Sequence, residues 1–160
     1  MANLENEERN ISLSIDLINN QYLDGDLQRE DYENWIPFIL SLNLENENYN
    51  YSEASGAILT IYEIERLLIS IEEMIEKKKN NHVIEKYEFS SSECYFDLIF
   101  FDTFEVNLIY VEVWINIGSY TEGETFGYDK GFRFVVDLNS LENFKNKINS
   151  QLNLLRAIES

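Results

Sequence analysis

The side chains best suited to catalysis are scarce in this chain. His82 and Cys94 are the only histidine and the only cysteine, so a thiol nucleophile would have a histidine base only if these two residues met in space. His82 stands in KKNNHV, directly behind a helical run, which is the setting of a capping or loop residue. Cys94 opens an apolar run, where a cysteine more often serves as a small buried hydrophobe than as a reactive thiol. Two such residues are too few for zinc ligation, and the chain contains no G-x-S-x-G nucleophile elbow. The expectation is a protein with no catalytic residue, no cofactor and no metal.

Carboxylates are abundant, so only unusual placements carry information. Asp97 in YFDLIFF and Glu112 in VNLIYVEVWINI each interrupt an apolar run. If the aliphatic residues of both runs face inward, strand alternation puts Tyr95, Asp97, Tyr110, Glu112 and Trp114 on the opposite face, together with Arg133 and Asp137. Two carboxylates beside aromatic rings have the composition of a glycosidase acid and nucleophile. Cross-strand pairing of either acid with Arg133 is the plainer role. The aromatics favour a binding face, because Tyr and Trp dominate interface energetics; they could also cover a small second core.

Residues 118–125, GSYTEGET, match the phosphate-cradling pattern Gly-x4-Gly-Lys-Ser/Thr except that Glu124 replaces the lysine. A phosphate loop must open into a helix whose N–H groups meet the phosphates. Here the following FGYDKGFRFVV reads as another strand, and Glu122, Glu124 and Asp129 would repel a phosphate. GSYTEGETFGYDKG, residues 118–131, is therefore read as a hairpin loop, with Gly118, Gly123, Gly127 and Gly131 supplying backbone freedom and Tyr120, Glu122, Glu124 and Asp129 presented to a partner.

Charge sets the chemistry of that partner. Thirty acidic residues against twelve basic ones give a net charge of −18, a field that repels nucleic acid and anionic membrane surfaces and speeds encounter with basic proteins. No apolar run reaches the ~20 residues of a bilayer span. The polar start MANLENEERN and the unpairable single cysteine point to the reducing cytoplasm.

The elements that hold these residues read as follows. LTIYEIERLLISIEEMIEKKK carries a capping box at Thr60 and Glu63, an apolar stripe from Ile64 to Ile75, and Lys77, Lys78 and Lys79 at the end favoured by the helix dipole. NSLENFKNKINSQLNLL reads as a second helix capped at Asn139, with Glu142 in the reciprocal position. Strands are expected around 12–17, 36–44, 86–90, 94–101, 106–117 and 132–138. The order ββαββββα gives a single α+β domain over 1–160, with an antiparallel sheet of about six strands and two helices packed on one face. Residues 1–10 are read as a flexible start, and 19–34 and 46–57 as loops. Long strands with free edges would allow a homodimer.

The strand LSIDLI, the strand WIPFILSLNLE, the approach AILTIYEIERLLISIEEMI into the first helix and the ending GFRFVVDLNSLENFKNKINSQL together resemble the WapI-type bacterial immunity family, from about Ile11 to Leu155. The resemblance implies a cytoplasmic protein that binds and blocks a toxin domain and has no catalysis of its own. Many such toxins are nucleases with basic clefts, into which an acidic inhibitor fits. The family supplies no catalytic motif to carry over.

Overall fold

The first helix forms where its capping box places it. In α1 (Ile61–Lys79) the Thr60 hydroxyl accepts the Glu63 N–H at 3.1 Å, and the Glu63 carboxylate accepts the Thr60 N–H at 2.8 Å. Such a reciprocal cap satisfies two orphan donors, and losing it costs about 1 kcal/mol. Ile64, Leu67, Leu68, Ile71, Met74 and Ile75 are all buried; each contributes roughly 1.5–3 kcal/mol on full burial. The structure, a computed structural model, describes residues 1–159.

Nine strands form two antiparallel sheets rather than a single sheet of six. The first contains β1 (Ala2–Glu5), β2 (Ser12–Leu17), β3 (Trp35–Asn43) and β4 (Asn48–Tyr51) in that order, with β5 (Ile58–Thr60) also paired to β3. The second is the meander β6 (Tyr87–Ser90), β7 (Phe96–Asp102), β8 (Leu108–Asn116) and β9 (Asp129–Asp137). The α+β class and antiparallel pairing agree with the sequence; the strand count and the single sheet do not. Of the six expected strands, two lie in the first sheet and four in the second, and three short strands account for the larger count. Ala2 and Leu4 are buried and tie β1 into the sheet, where the acid-rich start had suggested a flexible lead. Tyr49 and Tyr51 alternate with exposed Asn48 and Asn50, so NYNY is an amphipathic strand written with residues typical of loops. β5 is three residues long and runs directly into α1.

Two further helices complete the fold. α2 (Ile117–Tyr120) is a single turn, capped by the Asn116 side chain accepting the Ser119 N–H at 3.1 Å. α3 (Leu138–Glu159) follows β9 without a linker. Its cap is Asp137, whose carboxylate accepts the Ser140 N–H at 2.7 Å, two residues ahead of the expected Asn139. The Ser140 hydroxyl accepts the Glu5 N–H and donates to the Glu5 carbonyl, which joins the start of α3 to β1. Gln151 accepts the Leu17 N–H at 2.9 Å and donates to Asp16 at 2.8 Å.

Both sheets turn their apolar faces to one core that includes the stripes of α1 and α3. An aromatic seam joins them: Phe38 of β3 meets Phe96 of β7 edge-on at 5.7 Å, and Tyr49 of β4 meets Phe132 of β9 at 5.6 Å. One ion pair lies inside. Lys78 Nζ is 2.9 Å from Asp102 Oδ1, with the two side chains 6% and 5% exposed. The ammonium also donates to the Glu105 carbonyl at 2.6 Å, while Asp102 accepts the N–H groups of Ile84 and Phe104. Every strong polar group at this junction of α1 with the end of β7 is thus satisfied, as burial of charge requires.

Candidate partner-binding face

Strict alternation in the second sheet separates a dry face from a wet one. Phe96, Leu98 and Phe100 of β7, Ile109, Val111, Val113 and Ile115 of β8, and Phe134 and Val136 of β9 are buried. The residues between them in β7 and β8 are half-exposed. The register sets this outer face in rows: Asp97 opposite Trp114 opposite Gly131, then Ile99, Glu112 and Arg133, then Phe101, Tyr110 and Val135. Asp97, Tyr110, Glu112, Trp114 and Arg133 therefore share one surface.

Within it, Glu112 is already engaged. One carboxylate oxygen accepts the Trp114 indole N–H at 3.1 Å, and the other meets the Arg133 guanidinium at 3.3 Å. Arg133 also lies 5.0 Å over the Phe101 ring and 5.9 Å over Tyr110, two rings that stack at 4.9 Å. This is a cation stacked on aromatics and paired with a carboxylate. The Trp114 ring is fixed from below. A Cβ built on Gly131 would fall 2.4 Å from the indole, so the ring lies against a strand position that only glycine can occupy. Gly131 belongs to β9 and serves ring packing, where the sequence had placed it among the loop glycines.

Beside Trp114 opens a cavity of about 270 Å³ that also takes in Asp97, Asp129 and Ser90. Burial pushes the Asp97 carboxyl above its ordinary range; a hydrogen bond from Ser90 opposes this, and the charges of Asp129 and Glu88 add to it. Glu112 is held by Trp114 and Arg133 and does not line this cavity, whereas Asp97 does.

The remaining expected residues divide. Tyr95 precedes β7, after a turn in which Cys94 takes a positive φ of 58°, and it packs edge-on against Phe38 and Tyr51 at 5.7 and 5.3 Å. It belongs to the aromatic seam, not to the outer face. Tyr120 likewise turns inward from α2 onto Tyr49 and Tyr51, at 5.4 and 5.9 Å. Glu122, Glu124 and Asp129 are exposed. The 118–125 stretch begins as the helical turn α2 and then bends through Glu122 and Gly123 at φ 54° and 87°. Between this stretch and β9 the exposed aromatics are Phe126 and Tyr128, 77% and 56% accessible. Neither is marked in the sequence, because aromatics in a loop carry no periodicity.

His82 is exposed behind α1, its N–H donating to the Lys77 carbonyl at 2.8 Å. Cys94 is exposed in the turn before β7 rather than buried in it. Among the described residues, no group of three or more His, Cys, Asp or Glu side chains is arranged to hold a metal, and no helix is long and apolar enough to cross a membrane.

The architecture defines a small α+β protein of two antiparallel sheets, one of which leaves an aromatic face accessible. The chain belongs to the WapI-like immunity protein family, whose model matches residues 3–156. No curated protein and no solved structure gave a match.

Proposed function

We propose that this chain is a cytoplasmic immunity protein that binds and neutralises a toxin domain, without catalysis of its own, through the outer face of β7, β8 and β9 and the adjoining loop 121–128. Membership of an immunity family over residues 3–156 carries the reading. The face supports it: aromatic platforms are interleaved with carboxylates on a chain of net charge −18, a pattern complementary to a cationic surface. A nuclease toxin has such a surface, because its cleft must attract phosphate. Asp97, Tyr110, Glu112, Trp114, Glu122, Glu124, Asp129 and Arg133 form the docking set, with Phe126 and Tyr128 added from the loop.

The test is co-expression with the toxin domain encoded beside this chain's gene. The intact chain restores growth of cells producing the toxin, and the triple change Glu122→Ser, Glu124→Gln and Asp129→Asn weakens protection while leaving the fold intact. Failure to protect against any neighbouring toxin domain would overturn the immunity reading.

A further inference from the structure

The outer face contains two aromatic and carboxylate sites, and the chain fills one of them itself. At the first, the Arg133 guanidinium lies over Phe101 and Tyr110 and pairs with Glu112. At the second, Trp114 is pressed flat on Gly131 and held by its indole N–H to Glu112. Its ring lines the cavity of about 270 Å³ together with Asp97 and Asp129. Among the described residues, neither Asp97 nor Asp129 takes part in an ion pair. Lys130, the nearest basic residue in the chain to Asp129, points elsewhere and pairs with Glu47 at 3.0 Å.

We infer that the Trp114 cavity is a socket for one arginine side chain of the toxin domain, its guanidinium stacked on the indole and hydrogen-bonded to Asp97 and Asp129. The inference rests on the docking reading above and names its anchor. Three properties select arginine. The indole face is the strongest aromatic partner for a cation. A planar guanidinium has five donors in a fixed fork, enough to reach two carboxylates while its face lies on a ring. It is also more weakly hydrated than an ammonium, so it enters a half-enclosed cavity at lower desolvation cost. The Arg133 site shows the same geometry realised within the fold. A pre-set platform has already met its ordering cost, which is how an interface residue becomes dominant.

The test measures affinity by calorimetry, using the adjacent toxin domain and variants whose fold is checked by circular dichroism. Asp97→Asn with Asp129→Asn is expected to weaken binding at least tenfold. Glu73→Gln with Glu76→Gln, an equal charge change on the exposed side of α1, should stay within about twofold of the parent, as expected for charges remote from the interface. Arginine-to-lysine changes across the toxin domain should yield one that reproduces the tenfold loss and adds nothing to the Asp97/Asp129 double variant. If the socket pair has no effect while Tyr110→Ala weakens binding, the socket is wrong and the docking face stands. If neither has an effect, the docking face itself is wrong. Coupling of the socket pair to a toxin lysine, with no arginine coupled, would overturn the arginine assignment.

Discussion

Two aspartates at opposite ends of β7 respond to pH with opposite sign. Asp102 is buried, which alone would push its carboxyl up. Hydrogen bonds from Lys78 and from the N–H groups of Ile84 and Phe104 outweigh that cost, and the net direction is down. A carboxyl held below its unfolded value adds stability above the ordinary range near ~4 and loses it as pH falls through the folded value. Asp102→Asn at pH 7 leaves the Lys78 charge buried without its counter-charge, and urea unfolding should register a loss of about 3–5 kcal/mol. The paired change Lys78→Met with Asp102→Leu should recover only part of that loss, because it removes the unpaired charge but leaves the N–H groups of Ile84 and Phe104 without their acceptor. Equal damage from the single and double variants would contradict this account. Asp97 is held above its ordinary range, chiefly by burial, so once ionised it is a cost that grows as pH rises through its folded value. Asp97→Asn should therefore match or exceed the parent's melting temperature at pH 7, with the difference shrinking toward pH ~4 as the parent's carboxyl protonates. A lower melting temperature at pH 7 would show that Asp97 supports the fold, whereas the present account assigns it to binding.

At the scale of elements, β9 and β8 act as a matched pair, because the Trp114 platform exists only while position 131 lacks a side chain. Gly131→Val would place atoms where the ring lies. The indole must then leave the sheet, and its fluorescence should shift toward that of a solvent-exposed tryptophan while far-ultraviolet dichroism keeps its strand signal. An unchanged spectrum in a Trp35→Phe background would refute the packing. This dependence was not legible in the sequence, where Gly131 reads as one more loop glycine in GYDKG, because only cross-strand register reveals what a glycine faces. What could be read was local: the Thr60/Glu63 cap, the stripe of α1, and the alternation that put Asp97, Tyr110, Glu112, Trp114 and Arg133 on one side. Tyr95 and Tyr120 pack in the seam instead of on that face for the converse reason. Alternation holds only inside a strand, and the turn at Cys94 and the helical turn α2 rotate both rings into the seam between sheets. The division into two sheets also escaped local reading. It is set by which strands pair, β2 with β3 and β6 to β9 among themselves, and no local pattern records pairing; β1, β4 and β5 are not legible as strands because each has only three or four residues.

For the molecule as a whole, charge is distributed unequally between inside and outside uses. Eight of the twelve basic side chains, Arg29, Lys78, Lys79, Lys86, Lys130, Arg133, Lys145 and Arg156, are engaged with the chain's own carboxylates. The positive charge is thus largely spent within the fold, and much of the acidic excess is left for solvent and partners. Association with a cationic toxin domain should accordingly slow steeply between 50 and 500 mM salt as screening lengths fall below about 10 Å, with dissociation changing much less. Rates insensitive to salt would remove electrostatic steering from the account. The opposite surface of the first sheet provides an internal comparison. Its cross-strand row Asn3, Ser14, Ser41 and Asn50 carries neither charge nor aromatic ring and should stay out of the interface. The most direct measurement is a map of nuclear magnetic resonance shifts as the labelled chain is titrated with the toxin domain that the co-expression test identifies. The largest changes are expected at the Trp114 indole N–H, Asp97, Tyr110 and residues 126–129, with the Asn3, Ser14, Ser41 and Asn50 row unmoved. Changes concentrated on that row, with the Trp114 indole silent, would contradict docking through the outer face.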